Sequence, residues 1–143
     1  EIATDEPVSS DELRHYYERG HAWVLADESG APIGYAVVDE IDRSAHIEQI
    51  SVHPDHQGHG YGRVLLDAVA VWAQMQGLAA LTLTTFRDVP WNGPYYERYG
   101  FRALQRSELT PGLAAVRARE TADGLDPNLR ICMRLDLPAG TRR

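Results

Sequence analysis

Gly58, Gly60 and Gly62 stand at every second position of the run Gln57-Gly58-His59-Gly60-Tyr61-Gly62-Arg63. Glycine reaches positive φ without steric penalty and lets a ligand come close to the backbone. The clearest helical pattern of the chain begins directly after the run, and the first N–H groups of a helix are unpaired and sit at the positive end of its dipole. A glycine-rich turn that feeds a helix N-terminus is a site for phosphate. Two familiar phosphate motifs fail on single residues: the dinucleotide fingerprint needs a small residue where Arg63 stands, and a Walker loop needs a Lys-Ser/Thr pair. Taken alone, the run also fits a tight connection that binds nothing.

A scaffold for this loop is written in the spacing of apolar residues. Leu65, Ala68, Val69, Trp72 and Met75 recur at helical steps, and Gly77 closes the helix. Ahead of the loop, Ile47, Ile50 and Val52 read as a strand that ends at Pro54, which lacks the N–H a ladder requires. After the helix, Leu81 and Leu83 alternate with Thr82 and Thr84, so strand, helix and strand follow in order and imply parallel neighbours. Upstream, Leu13, Tyr16 and Tyr17 have helical spacing behind a Ser10-Asp11 cap, with Gly20 as the stop. His21 to Asp27 and Pro32 to Asp39 form a hairpin about Glu28-Ser29-Gly30. Downstream, a short helix around Tyr95 to Tyr99 stops at Gly100. Phe101 to Leu109 then reads as extended, Pro111 to Thr121 as helical and Leu129 to Leu137 as a closing strand. Trp72 and Met75 are expected to pack on the helix face, and Asp39, Glu40 and Asp42 to form a solvated turn.

The chain has 143 residues, of which 43% are hydrophobic, enough for one core and too few for two ordinary domains. One domain over residues 1–143 is expected. A net charge of −7 disfavours a nucleic-acid partner, and Arg142-Arg143 does not supply the basic stripe such a partner needs. An acidic surface suits cationic partners. The single Cys132 excludes an intrachain disulfide and fits a reducing compartment, so a cytoplasmic location is expected. No run approaches the roughly 20 apolar residues that span a bilayer, and no membrane partner is expected.

Gln57, Gly60 and Gly62 fit the pattern Gln or Arg, two residues, Gly, one residue, Gly or Ala. This resembles the pyrophosphate loop of the GNAT acetyltransferase superfamily. Ile50-Ser51-Val52-His53-Pro54 is similar to the strand and proline that lead into that loop, and Val64-Leu65-Leu66 to the helix that leaves it. Tyr96-Glu97-Arg98-Tyr99-Gly100-Phe101 looks like the family's tyrosine and Gly-Phe signature after its fifth strand. The resemblance covers residues 21 to 109, and Leu113 to Met133 also looks like bacterial members. It implies an α/β (α+β) fold: a central mixed, mostly antiparallel twisted sheet, splayed between the family's strands 4 and 5 and flanked by helices. The family's first strand and first helix are hard to find before Ser10; either the chain begins inside the domain or Glu1 to Thr4 is a remnant of that strand.

The same resemblance implies an N-acetyltransferase with acetyl-CoA as cosubstrate, an amine as acceptor, either a small cationic amine or a protein amine, and no metal. A homodimer is compatible with it. The implied cofactor contacts are Ile50, Ser51, Val52, Gln57, Gly58, His59, Gly60, Tyr61, Gly62, Arg63, Asn92 and Tyr95. The pantetheine arm would lie along Ile50 to Val52 like an added strand, where an N–H can polarise the thioester carbonyl. A lysine-like amine has a pKa of about 10.4, so a base or a water chain must take its proton. Glu48, two residues before Ile50 and nominally on the same face, is the first candidate, and His46 the second. A solvated strand side chain is the alternative for both. Tyr96 holds the family's tyrosine position, which donates to the departing thiolate, unless Tyr95, Tyr96 and Tyr99 merely anchor a short helix. Many relatives carry an asparagine seven residues before that tyrosine, whereas Asn92 stands four before it and fits an Asn-Gly-Pro turn equally well. Acceptor specificity would fall to Tyr16, Tyr17, Trp23, Glu108 and Glu120. His53, His56 and His59 recur every third residue but bring no cysteine, so no metal is expected there. Cys132, flanked by Ile131 and Met133, reads as core rather than as a nucleophile. The rival from another class is a non-catalytic acyl-CoA sensor that keeps the loop and acetylates nothing.

Overall fold

The computed structural model describes residues 9–89 and 92–138; Glu1 to Thr4, Pro90-Trp91 and Arg142-Arg143 lie outside the described residues. Helix α1 (Ser10–Glu18) opens on a capping box in which Ser9 and Glu12 satisfy each other's backbone N–H groups. Strands β1 (Ala22–Ala26), β2 (Pro32–Ile41) and β3 (Ser44–Val52) follow as an antiparallel meander. The two-residue turn between β2 and β3 places Asp42 and Arg43 at φ 50° and 65°, the primed geometry that matches strand twist. Helix α2 (Tyr61–Met75) then crosses to β4 (Ala80–Phe86), the crossover that a parallel pair requires. A short helix α3 (Gly93–Tyr99), strand β5 (Arg102–Ala103), helix α4 (Pro111–Ala122) and strand β6 (Arg130–Asp136) complete the described order.

The six strands run in the order β1-β2-β3-β4-β6-β5, and only β3 and β4 are parallel. That parallel pairing is brief. It joins Ser44 to Ala80, Ala45 to Leu81 and His46 to Thr82, and then stops. From there β4 continues to Phe86 paired with β6 alone, and β3 continues to Val52 paired with β2 alone. The sheet is therefore splayed between the strands that answer to the family's fourth and fifth. A β-bulge lies at the same place: Val37 faces Gln49 and Val38 faces Ile47, so Glu48 is an extra residue on β3. Bulges bend a strand and increase its twist, which carries β3 away from a straight neighbour.

The bulge also explains the core. Ala45, Ile47, Ile50 and Val52 all join one buried apolar cluster with Leu65, Leu66, Val69 and Ala73 of α2. Without an extra residue Ile47 and Ile50 would point to opposite faces. Leu81 and Leu83 of β4, Met133 of β6, and Tyr96 and Phe101 extend the cluster. Each fully buried leucine contributes about 1.5–3 kcal/mol. Helices α1 and α4 cover the opposite face, where Tyr16 meets Asp39 at 3.0 Å and the Gly112 N–H meets Asp42 at 2.7 Å.

Two expectations change. Met75 is 78% exposed, because the helix turns it away from the Leu65-Leu66-Val69-Ala73 stripe, while Trp72 packs edge-on against Trp23 and His21. The stretch from Phe101 to Leu109 pairs only at Arg102–Ala103, and a 3₁₀ turn over Arg106–Glu108 then interrupts it. Glu108 supplies the cause, since its carboxylate accepts the Gln105 N–H at 2.9 Å and Arg102 at 2.8 Å.

Gly34 backs the last residues of β3. A Cβ there would lie 2.4 Å from the Ser51 carbonyl oxygen and 3.2 Å from Val52 Cα. Gly34→Ala should therefore destabilise by about 1–3 kcal/mol and lower the melting temperature by roughly 3–10 °C. Calorimetry showing an unchanged melting temperature would mean that this close approach is not needed.

Candidate active site

The glycine loop follows a 3₁₀ turn over Pro54–His56 and enters α2 at Tyr61. Gly58 and Gly60 have φ of 84° and 79°, the left-handed region, and a Cβ on either would meet nothing within 4 Å. The demand for glycine here is conformational, and the space beside the backbone is open. Gly60 is the N-cap residue of α2 and makes no side-chain cap. Among the described residues, no protein acceptor meets the amides from Gly58 to Arg63. Six consecutive amides at the positive end of a helix form a cradle for an anion. Gln57 ties the loop back to the strand, donating from Nε2 to the Val52 carbonyl at 3.2 Å. Gly62 is buried under the helix start, whereas Gly58, His59, Gly60 and Arg63 are exposed. Arg63 lies over the Tyr99 ring at 5.2 Å, and Tyr61 packs between His56 and His59.

Beside this cradle lies the gap between β3 and β4. The backbone from Ile47 to Val52 has β2 on one side and no strand on the other. Ile50 and Val52 turn their side chains into the α2 core, and Ser51 is half-buried. Tyr96 enters from α3, its ring 2% exposed and packed edge-on against Tyr95 at 5.3 Å and Phe101 at 5.6 Å. Burial raises its hydroxyl well above the ordinary tyrosine value, and the adjacent Tyr95 adds to the shift. That hydroxyl has no hydrogen-bond partner among the described residues. Asn92, at the N-cap of α3, is fully buried, and among the described residues neither polar atom of its amide has a partner. Buried amides without partners are costly, so Asn92 is available for a group that the protein itself does not supply.

The opposite face of the sheet carries the titratable groups. Through its bulge, Glu48 does not share the face of Ile50, as simple alternation suggests; it hydrogen-bonds Asp39 of β2. Burial pushes the Glu48 carboxyl up to about 8, with the hydrogen bond and charge of Asp39 adding to the rise. Asp39 moves down: burial raises it, but hydrogen bonds from Glu48, Tyr16 and Arg19 outweigh that effect. Tyr16 donates to one Asp39 oxygen at 3.0 Å and Arg19 to the other at 3.2 Å. His46 sits opposite Asp39 in the ladder, 2% exposed, with Nδ1 2.8 Å from Thr82 Oγ1. Burial lowers its pKa to about 4, so it is neutral at physiological pH.

Residues 2–101 match the Acetyltransferase (GNAT) family, which is most of the chain. The chain belongs to this family. The GNAT protein is 33% identical over 76 residues to a mycothiol acetyltransferase of Nocardiopsis dassonvillei, a match that covers 47% of this chain and 22% of that one. It is 25% identical over 99 residues to a peptidyl-lysine N-acetyltransferase of Escherichia coli, covering 69% of this chain and 61% of the relative. The chain thus spans less than two thirds of either relative. Among solved structures, an N-acetylglutamate synthase of Neisseria gonorrhoeae complexed with coenzyme A and N-acetyl-glutamate superposes with a TM-score of 0.73 at 20% identity, over 91% of this chain and 28% of that one. A GNAT acetyltransferase of Staphylococcus aureus gives a TM-score of 0.70 at 18% identity, over 90% of this chain and 75% of that one. Such likenesses carry the fold.

Within the GNAT fold the remaining sequence candidates separate by face. Tyr16 and Glu120 reach the titratable cluster, the latter through its charge on Glu48. Tyr17 is 68% exposed, Trp23 packs on Trp72, and Glu108 pairs with Arg102, so these three stand apart from it. Cys132 is buried, and loss of solvent pushes its thiol up to about 11, which leaves it inert as a nucleophile. Among the described residues no group of three His, Cys, Asp or Glu side chains converges on a metal position. Two participants were missed in the sequence. Asp39 does not belong to a solvated turn; it is half-buried against α1. Arg119, an exposed residue of α4, acts on both Glu48 and His46 through its charge. An Asp that interrupts the apolar run Ala36-Val37-Val38 was the available signal for the first.

Glu48 makes stability depend on pH. Its carboxyl holds a proton more tightly in the folded state, so its contribution is complete below its ordinary value of 4.5 and is lost as pH rises through about 8. His46 works oppositely, contributing above 6.5 and losing that contribution as pH falls through about 4. Glu48→Gln should flatten the alkaline decline and raise the melting temperature at pH 9 above that of the wild type. Scanning calorimetry between pH 5 and 9 reads this directly, and identical declines in both proteins would refute it.

Proposed function

We propose that this chain is an acetyl-CoA-dependent N-acetyltransferase that moves an acetyl group directly to an amine, either a small cationic amine or an exposed protein amine. The observation that carries the reading is the open edge of β3 running straight into the unpaired amides from Gly58 to Arg63. A strand edge pairs with amide groups of an extended ligand, and the amide cradle binds a pyrophosphate. Coenzyme A has both features, in that order, and its acetyl thioester supplies the activated acyl group. Asn92, buried without partners beside the gap, offers a donor and an acceptor to the same arm.

The two proton-handling groups lie on separate sides of the sheet. Glu48 lies on the face of α1 and α4, beside Asp39, which lines a surface cavity with Tyr16. Its raised pKa makes it a stronger base than an ordinary carboxylate, closer to the match that proton transfer near neutral pH requires. His46 is the weaker candidate, because burial makes its protonated form costly and Thr82 occupies Nδ1. A backbone N–H of the Ile50 to Val52 edge can donate to the carbonyl oxygen as charge develops there. Tyr96 lies on the α2 side and would offer its hydroxyl to the departing sulfur. It holds its proton more tightly than an alkyl thiol, whose ordinary pKa is about 8.5, so it acts by donating a hydrogen bond.

Calorimetric titration with acetyl-CoA should show saturable binding. Gly60→Ala should weaken that binding about tenfold, because a side chain in the left-handed region costs about 1–2 kcal/mol. Absence of binding in the unsubstituted protein would overturn the cofactor assignment. In a thiol-release assay over a panel of small amines and lysine peptides, Tyr96→Phe should lower kcat by roughly a hundredfold with little change in the acetyl-CoA affinity. Binding without thiol release from any amine would favour a sensor over an enzyme.

A further inference from the structure

Asp39 carries more contacts than a surface carboxylate needs. Each of its oxygens accepts a hydrogen bond from α1, one from the Tyr16 hydroxyl at 3.0 Å and one from Arg19 at 3.2 Å. The carboxyl of Glu48 then reaches Asp39 from the neighbouring strand. His46 faces Asp39 in the ladder and Glu48 lies two residues further along β3, so alternation sets Glu48 and Asp39 on one face of adjacent strands. Setting one carboxyl against another is a poor device for stability, since two like charges at contact cannot both ionise freely. It is a good device for holding one proton between them. The cluster also opens outward: Asp39 and Tyr16 line a cavity of about 410 Å³ together with Asp11, Glu12, His15 and Arg19.

We propose that Asp39 and Glu48 form one proton-accepting pair in which Asp39 is the positioning residue, held as the anion by Tyr16 and Arg19 and orienting the Glu48 carboxyl. The inference rests on the acetyl-transfer reading and extends it to a residue outside the family motifs matched in this sequence. In the step, the doubly ionised pair takes one proton from the attacking nitrogen, forming an O–H bond on Glu48 that donates to Asp39. The proton then leaves to water through the cavity, and the pair returns to its starting charge. The groups facing the pair are Tyr16 and Arg19 from α1, His46 from β3, and Arg119 and Glu120 from α4. His46 is neutral, so Arg19 and Arg119 are the cations that favour the doubly ionised state. Because the two sites are coupled, the observed midpoints belong to the pair.

The test is a carboxyl-carbon NMR titration of the full chain with labelled Asp and Glu, in which Glu48→Gln identifies the upper midpoint by removing it. Asp39→Asn should lower the Glu48 midpoint by about one pH unit or more, because a like charge and its hydrogen bond are gone. Tyr16→Phe should move the midpoint upward, since the doubly ionised pair loses a donor. Opposite displacements are expected of a shared proton and not of general loosening. A Glu48 midpoint unmoved in Asp39→Asn, or moved the same way by both variants, would overturn the proposal. The titration uses neither acyl donor nor acceptor. Midpoints that move as stated in a protein that releases no thiol would uphold the pair and reject the acetyl-transfer reading.

Discussion

Three backbone pairings between β3 and β4, followed by separation, are the constraint on which the rest depends. Had the two strands stayed paired to their ends, every amide of β3 would be satisfied within the sheet and no extended ligand could add to it. Had they never paired, α2 would lose the sheet against which its Leu65-Leu66-Val69-Ala73 stripe packs. Partial pairing gives both a continuous core and an open edge. The agent is local, one extra residue at Glu48 that bends β3 after its anchored start. The same bulge returns Ile50 and Val52 to the α2 side, so core packing and the gap come from one irregularity.

The two faces of the sheet differ in chemistry. The α2 side is apolar, and what it gives to the site is rigid: Tyr96 wedged between Tyr95 and Phe101, and a helix N-terminus anchored by buried Gly62. The α1 and α4 side holds the buried or half-buried polar groups Asp39, His46, Glu48 and Thr82. Low solvent access there strengthens electrostatic effects, which is why neighbouring carboxyls separate in pKa and His46 stays neutral.

Helix α4 shapes the face of Asp39 and Glu48 by where it is tied. Its N-terminus is fixed to the β2–β3 turn through Asp42, and its last turns to β6 through Glu120 and Arg130, 3.5 Å apart. Between these ties Arg119 is exposed yet acts on Glu48 and His46. The chain between β5 and β6 therefore sets charge at this face without belonging to the glycine loop. This separation lets a fold keep one donor substrate while its acceptor surface varies.

The amino-acid sequence by itself determined the loop and the elements around it. Gly58 and Gly60 need positive φ, Pro54 ends a strand, and the apolar steps from Leu65 to Val69 specify α2, all through local sterics and periodicity. It also placed Tyr96 on a short helix stopped by Gly100. Tertiary structure alone decided that Ile50 and Val52 part from the face of Glu48, because a one-residue bulge inverts every alternation argument beyond it and leaves no mark in residue type. It decided that Asp39 joins Glu48 rather than solvent, since their contact spans two strands and depends on α1 docking from 20 residues upstream of Asp39. Local rules fix which backbone shapes are available; which side chains then meet is a property of the packed sheet.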